Sequence, residues 1–300
     1  MSTSALSFAA RRAGFLARVG DYVELTKPRI AVLVLVTVAI SAYVGRWGAL
    51  DGALLLHALL GTALVAASAS ALNQWLERRT DALMPRTVDR PLPAGRLSSA
   101  EVLTFGLATI VLGAAYLAWL VNLTTALLGV VTWLLYVWVY TPLKSRTTAN
   151  TTIGAVAGAM PVLMGFAAAG APLGLEAATL FLIVYLWQFP HFMAIAWLYR
   201  RDYEGAGLQM LTVVDPTGRR AGLQALLAAV ALLPVSLLPA GLQLGGLVYF
   251  GGALVLGLGQ LVLALAFMRR LDEVSARALL RASLVYLPGL WFLLMLAQVT

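Results

Sequence analysis

Between its charged stretches the chain runs through about nine segments that are apolar on every face and long enough to cross a bilayer. They fall near residues 30–45, 53–72, 101–121, 124–141, 151–170, 177–199, 221–242, 245–267 and 279–298. A barrel strand in a membrane would alternate apolar and polar side chains. The run "IAVLVLVTVAISAYV" at 30–44 does not. A uniformly apolar run in hydrocarbon must satisfy its backbone within itself, which leaves the helix. The expected fold is an all-α polytopic membrane protein, with about nine transmembrane helices around a central cavity that opens to the cytoplasmic side. After an N-terminal segment at 1–28, residues 29–300 are expected to form one domain.

Composition excludes a soluble domain. Charged residues are 11% of the chain, against about 25% in soluble proteins. The absence of cysteine excludes disulfides, thiolate metal ligands and a thiol nucleophile. A net charge of +8 raises the question of nucleic acid, but its distribution answers no. Every Lys and Arg except Arg46 precedes the first run or lies in the loops after runs 2, 4, 6 and 8. By the positive-inside rule those loops and the N-terminus face the cytoplasm, which puts the C-terminus outside. The first twenty residues carry three arginines and no acid, a faint likeness to an organelle presequence, but no signal-peptide core with a cleavage site. A bacterial cytoplasmic (inner) membrane is the preferred location, ahead of a mitochondrial inner membrane.

The loops after runs 2, 4 and 6 therefore share one face, and they hold most of the unusual chemistry. The first is "NQWLERRTDALMPRTVDRPLPAG" at 73–95. Asn73, Glu77 and Asp81 recur at i, i+4 and i+8, one face of a helix with steps of about 6 Å. Two carboxylates so placed repel by a few tenths of a kcal/mol on an exposed helix, and more beside lipid. A hard cation such as Mg²⁺ relieves that repulsion and prefers oxygen ligands shared with a phosphate. The alternative is a snorkelling helix end whose acids Arg78 and Arg79 neutralise. Asp202 and Glu204, after run 6, repeat the pattern as a weak internal duplication, although i, i+2 residues do not share a helix face.

Cations surround these acids. Arg90 lies in a loop fixed by Pro91 and Pro93, Lys144 and Arg146 follow Pro142, and Lys27 and Arg29 stand before run 1. Arg grips phosphate oxygens in bidentate fashion and Lys offers a compact charge; the bland reading is that all of them enforce topology. A diphosphate with an isoprenoid tail fits both halves of the pattern, head group at the surface and tail among the helices.

Within run 6, Gln188 and His191 share a face at i, i+3, and Pro190 between them predicts a kink. Polar residues inside a membrane point to function, or else to hydrogen bonds between helices. Trp187, Phe189, Phe192 and Trp197 either line an aromatic pocket or pack. His57 has no such context. A transporter remains a second reading, although its ionisable residues belong near the bilayer midplane and these carboxylates lie at helix ends.

Together these stretches resemble the intramembrane prenyltransferases of the UbiA type, and within them the protoheme IX farnesyltransferases (heme O synthases). The likeness runs through "YVELTKPRI" at 22–30, "NQWLERRTDALMPRT" at 73–87, "RPLPAG" at 90–95 and "YTPLKSRT" at 140–147. It continues through "GAVAGAMPVLMGFAA" at 154–168, "WQFPHFMAIAWLYRRDY" at 187–203 and "AGLQML" at 206–211. The resemblance implies transfer of farnesyl from farnesyl diphosphate to a vinyl group of protoheme IX, with addition of water and Mg²⁺ as cofactor. It implies that Asn73, Glu77, Asp81 and Asp202 are catalytic, with Glu77, Asp81 and Asp202 on the metal. Arg90, Lys144, Arg146, Gln188, His191 and Tyr203 would bind substrates, with His191 facing the porphyrin or its iron. A heme A-forming enzyme or a terminal oxidase would be the partner. Relatives usually carry a second row of two aspartates at i, i+4; here that spacing runs from Asp202 to Ala206. Prenylation of an aromatic quinone precursor is the alternative within the superfamily.

Overall fold

The computed structural model describes residues 14, 16–46 and 49–297. Arg11 and Arg12 of the expected N-terminal segment, and the last residues 298–300, lie outside these. Among the described residues there are no strands, and nine helices are long and apolar enough to span a membrane. They are α1 (Pro28–Arg46), α2 (Gly52–Asp81), α3 (Ser99–Leu120), α4 (Leu123–Leu143), α5 (Asn150–Ala168), α6 (Leu175–Leu198), α7 (Arg219–Gly241), α8 (Leu247–Arg270) and α9 (Glu273–Leu296).

Two ends differ from expectation for local reasons. α2 runs beyond residue 72 to Asp81, so the whole polar row is helical. α9 starts at Glu273 instead of near 279 because Asp272 caps it, accepting from the Ser275 N–H, with Glu273 in the favourable first turn. At the start of α3, Ser98 and Glu101 form a capping box that satisfies the end reciprocally.

In lipid, helices associate through close packing more than through water exclusion, so small residues mark the contacts. α5 is the most enclosed helix and packs on α1, α4 and α6. A Cβ at its Gly165 would come within 2.5 Å of the Val38 carbonyl oxygen on α1, and one at Gly158 within 2.2 Å of Gln188 Oε1 on α6. α6 in turn packs on α7 and α9, while α2, α3 and α4 form a second packed group around Leu72, Ile110 and Trp133. α6 stays helical through Pro190. The change of helix type comes in α4, which widens to a π-helix over Leu135–Tyr140 just before Pro142.

One end of the bundle carries the loops after α2, α4 and α6, with short helices at Arg200–Gly205 and Leu211–Val214. The loops interlock. The Gln209 N–H donates to the Lys144 carbonyl at 2.7 Å, and the Asn150 amide to the Gln209 carbonyl at 3.1 Å.

Candidate active site

The helical row of α2 is buried at this end: Asn73 and Asp81 are 0% and 1% exposed. A buried charge is costly unless paired, and both carboxylates are paired. Arg90 Nη1 donates to Asp81 Oδ2 at 2.7 Å. Lys144 Nζ stands 2.7 Å from Glu77 Oε1, although that oxygen has no partner in hydrogen-bond alignment. Lys144 Nζ also lies 4.6 Å from the centre of the Tyr140 ring, an attraction between cation and π-face. Asn73 is committed on both sides. Its Oδ1 accepts from Lys27 Nζ at 2.6 Å and its amide donates to Thr141 Oγ1 at 3.0 Å.

Lys27 reaches this cluster through an unusual backbone. Its φ is 51°, in the left-handed region that side chains normally avoid. Pro28, at the first turn of α1, disfavours a helical conformation at residue 27, and Gln74 anchors the turn by donating to the Leu25 carbonyl at 2.8 Å. Such strain persists where surrounding contacts over-determine it. Burial first, and then the nearby Arg90 guanidinium, pull the Lys27 pKa down to about 7. Burial opposes charge on Lys144 too, but Glu77 outweighs it and holds that ammonium well above its ordinary pKa.

Below the cluster opens a cavity of about 820 Å³, walled by apolar side chains of α1, α2, α4, α5, α6 and α9. Lys27, Tyr136 and Tyr140 line it near the charged cluster, Trp187, His191 and Phe192 line it on α6, and Trp291 and Met295 toward the far end of α9. Within the π-turn of α4 the Tyr136 and Tyr140 rings, at i and i+4, lie 5.3 Å apart.

The predicted residues separate into three groups. Asn73, Glu77, Asp81, Arg90 and Lys144 form one cluster. Gln188 and His191 line the cavity, but the Gln188 amide donates to the Ala155 and Val184 carbonyls and ties α6 to α5. Asp202, Tyr203 and Arg146 make none of the hydrogen bonds or ion pairs that join the first cluster. Asp202 faces Arg86 at 4.0 Å, and that guanidinium lies 4.9 Å from both the Tyr199 and Tyr203 rings. Arg146 is exposed. Among the described residues no three of His, Asp and Glu come together as a metal-holding group. Of the four aromatics, Trp187 and Phe192 line the cavity, while Phe189 and Trp197 pack between helices. His57 bonds Tyr116 OH at 2.8 Å between α2 and α3.

Tyr136, Tyr140 and the left-handed turn at Lys27, though not Lys27 itself as a phosphate-binding candidate, were missed at the level of sequence. Pro142 was the available signal for the first two and Pro28 for the third.

The UbiA prenyltransferase family model matches residues 33–293. A protoheme IX farnesyltransferase of Solibacter usitatus is 46% identical over 92% of this chain and 98% of its own. One of Koribacter versatilis is 41% identical over 99% of each. Among solved structures, a digeranylgeranylglyceryl phosphate synthase superposes with TM-score 0.81 at 15% identity, covering 94% of this chain and 99% of that one. A UbiA homolog from Archaeoglobus fulgidus bound to DMAPP and Mg²⁺ gives 0.65 at 16% identity, covering 92% and 99%. The chain belongs to the UbiA prenyltransferase family.

Proposed function

We propose that the protein transfers the farnesyl group of farnesyl diphosphate to a vinyl group of protoheme IX, adding water and releasing diphosphate, to give heme O. The supporting observation is the pairing of two cations with two carboxylates at the head of a long apolar cavity. Similarity to the named farnesyltransferases supports the choice of substrates.

Glu77 and Asp81 suit Mg²⁺, which takes one or two protein carboxylates and completes its shell with phosphate and water. Glu77 Oε1, buried and without an aligned hydrogen bond, is the donor best placed to change partner. When bound, Mg²⁺ neutralises charge on the departing diphosphate. Asn73 holds Lys27 toward the same space. Lys144, Arg90 and Lys27 then turn to the diphosphate, stabilising the negative charge that grows as the allylic C–O bond breaks. The electron pair of that bond leaves with diphosphate. The vinyl π-electrons form the new C–C bond, and water captures the resulting cation and loses a proton. Tyr136 and Tyr140 line the cavity near the charged cluster and are assigned to stabilising the positive charge that develops on the allylic carbon. Asp202 faces Arg86 rather than the paired carboxylates and is assigned a supporting role. His191 and Gln188 line the cavity and are assigned to the porphyrin.

The positive-inside rule supports a charged end that faces the cytoplasm, and the membrane proposed is a bacterial inner membrane. Residues 29–300 act as one domain, and a heme A-forming enzyme or a terminal oxidase would take the product. The test is mass spectrometry of heme extracted after incubation with both substrates, with and without a chelator. A chelator-sensitive product heavier by one farnesyl group and one hydroxyl supports the reading. Prenylation of an aromatic acid with heme untouched refutes it.

A further inference from the structure

In the wall of the cavity, His191 and Trp187 lie one turn apart on α6 and both reach one residue of α9. His191 Nδ1 is 2.9 Å from Ser283 Oγ, and Trp187 Nε1 donates to the Ser283 carbonyl at 2.7 Å. The two rings are stacked, with centroids 4.9 Å apart and planes at 22°. Ser283 is fully buried, whereas His191 and Trp187 line the cavity.

The serine hydroxyl decides which tautomer the imidazole adopts. Ser283 Oγ donates to the Leu280 carbonyl at 2.7 Å, and a serine has one hydroxyl proton to give. A carbonyl oxygen only accepts, so that proton is committed and the bond to the imidazole must be one that the histidine donates. Nδ1 carries the proton, and Nε2 keeps its lone pair. Among the described residues nothing bonds Nε2, and it is not one of the fully buried orphan atoms. The lone pair is open to the cavity.

We propose that Ser283 and Trp187 are positioning residues that hold His191 as the Nδ1–H tautomer, so that Nε2 ligates the iron of the heme substrate. This rests on the reading of heme as acceptor. Histidines that bind metals donate their other N–H to a fixed acceptor, which sets tautomer and ring orientation; here the acceptor is a hydroxyl with its own proton already engaged. The stacked indole fixes the ring plane. Ligation at this point sets the depth of the macrocycle, and with it which edge meets the allylic carbon at the charged end.

The experiment is a titration of the purified full-length protein with ferric protoheme IX, followed by the Soret band and by electron paramagnetic resonance. Farnesyl diphosphate affinity is measured in parallel as a control of folding. The wild type is expected to show a histidine-ligated signature. His191→Ala loses it, and added imidazole restores it. Ser283→Ala binds heme about 10- to 100-fold more weakly, with an altered resonance signature and unchanged farnesyl diphosphate affinity. Ser283→Thr, which keeps the hydroxyl, retains the wild-type signature. A His191→Ala protein with the wild-type spectrum overturns the ligation, and a Ser283→Ala protein with wild-type affinity and signature overturns the positioning role. Failure of the wild type to bind heme at all overturns instead the reading of heme as acceptor.

Discussion

Lys144 Nζ and Glu77 Oε1 are 2.7 Å apart at the head of an apolar cavity, each holding the other's charge. Arg90 and Asp81 repeat the arrangement one turn on. The members of each pair neutralise one another, and Lys27, held by the neutral Asn73, stands beside them as a third basic group. In the proposed reaction each member takes a second partner, the metal for the acids and diphosphate for the cations.

If Asp81 and Arg90 only neutralised one another, removing both would restore what removing one had lost. The account predicts the reverse. Asp81→Asn should lower turnover by at least about 100-fold, by loss of metal stabilisation. The double variant with Arg90→Gln should do no better than the worse single. A double-mutant cycle on single-turnover rates measures this directly.

Asp202 and Arg86 should behave as one unit. Asp202→Asn and Arg86→Ala are each expected to cost about fivefold or less, the scale of a partly exposed cation–π contact. A much larger loss in Asp202→Asn alone, read as kcat at saturating Mg²⁺, would show that this carboxylate reaches the metal after all.

The lowered pKa of Lys27, about 7, has a definite sign for binding. Below pH 7 the empty site already carries the charge that diphosphate needs. Above pH 7 the lysine is mostly neutral, so binding must take up a proton, and affinity should fall by up to tenfold per pH unit. Calorimetry at pH 8 in buffers of different ionisation enthalpy should detect uptake approaching one proton. Lys27→Gln should remove that part.

Gly158 faces Gln188 too closely for a methyl group. Gly158→Ala should destabilise the protein by about 1–3 kcal/mol through overpacking. Combined with Gln188→Ala the two effects should fall well short of additive, as thermal unfolding in detergent would show.

The nine spans and the helical row of Asn73, Glu77 and Asp81 were legible because both rest on periodicity and charge placement. Arg90 and Lys144 were legible because prolines fixed their loops. Asp202 was not: its nearest cation, Arg86, comes from a different loop, and sequence spacing carries no record of contacts between loops. The π-turn that carries Tyr136 and Tyr140 and the left-handed Lys27 depend on how adjacent prolines are absorbed, which composition does not encode. Ser283 gave no signal at all, being one small polar residue in an apolar helix far along the chain.

The most direct measurement is a structure with Mg²⁺ and an unreactive farnesyl thiodiphosphate bound. The account predicts that Lys144 and Arg90 leave Glu77 and Asp81 for the phosphate oxygens, that both carboxylates reach the metal, and that the farnesyl chain lies in the cavity. Ion pairs still at 2.7 Å, with the diphosphate held elsewhere, would contradict it.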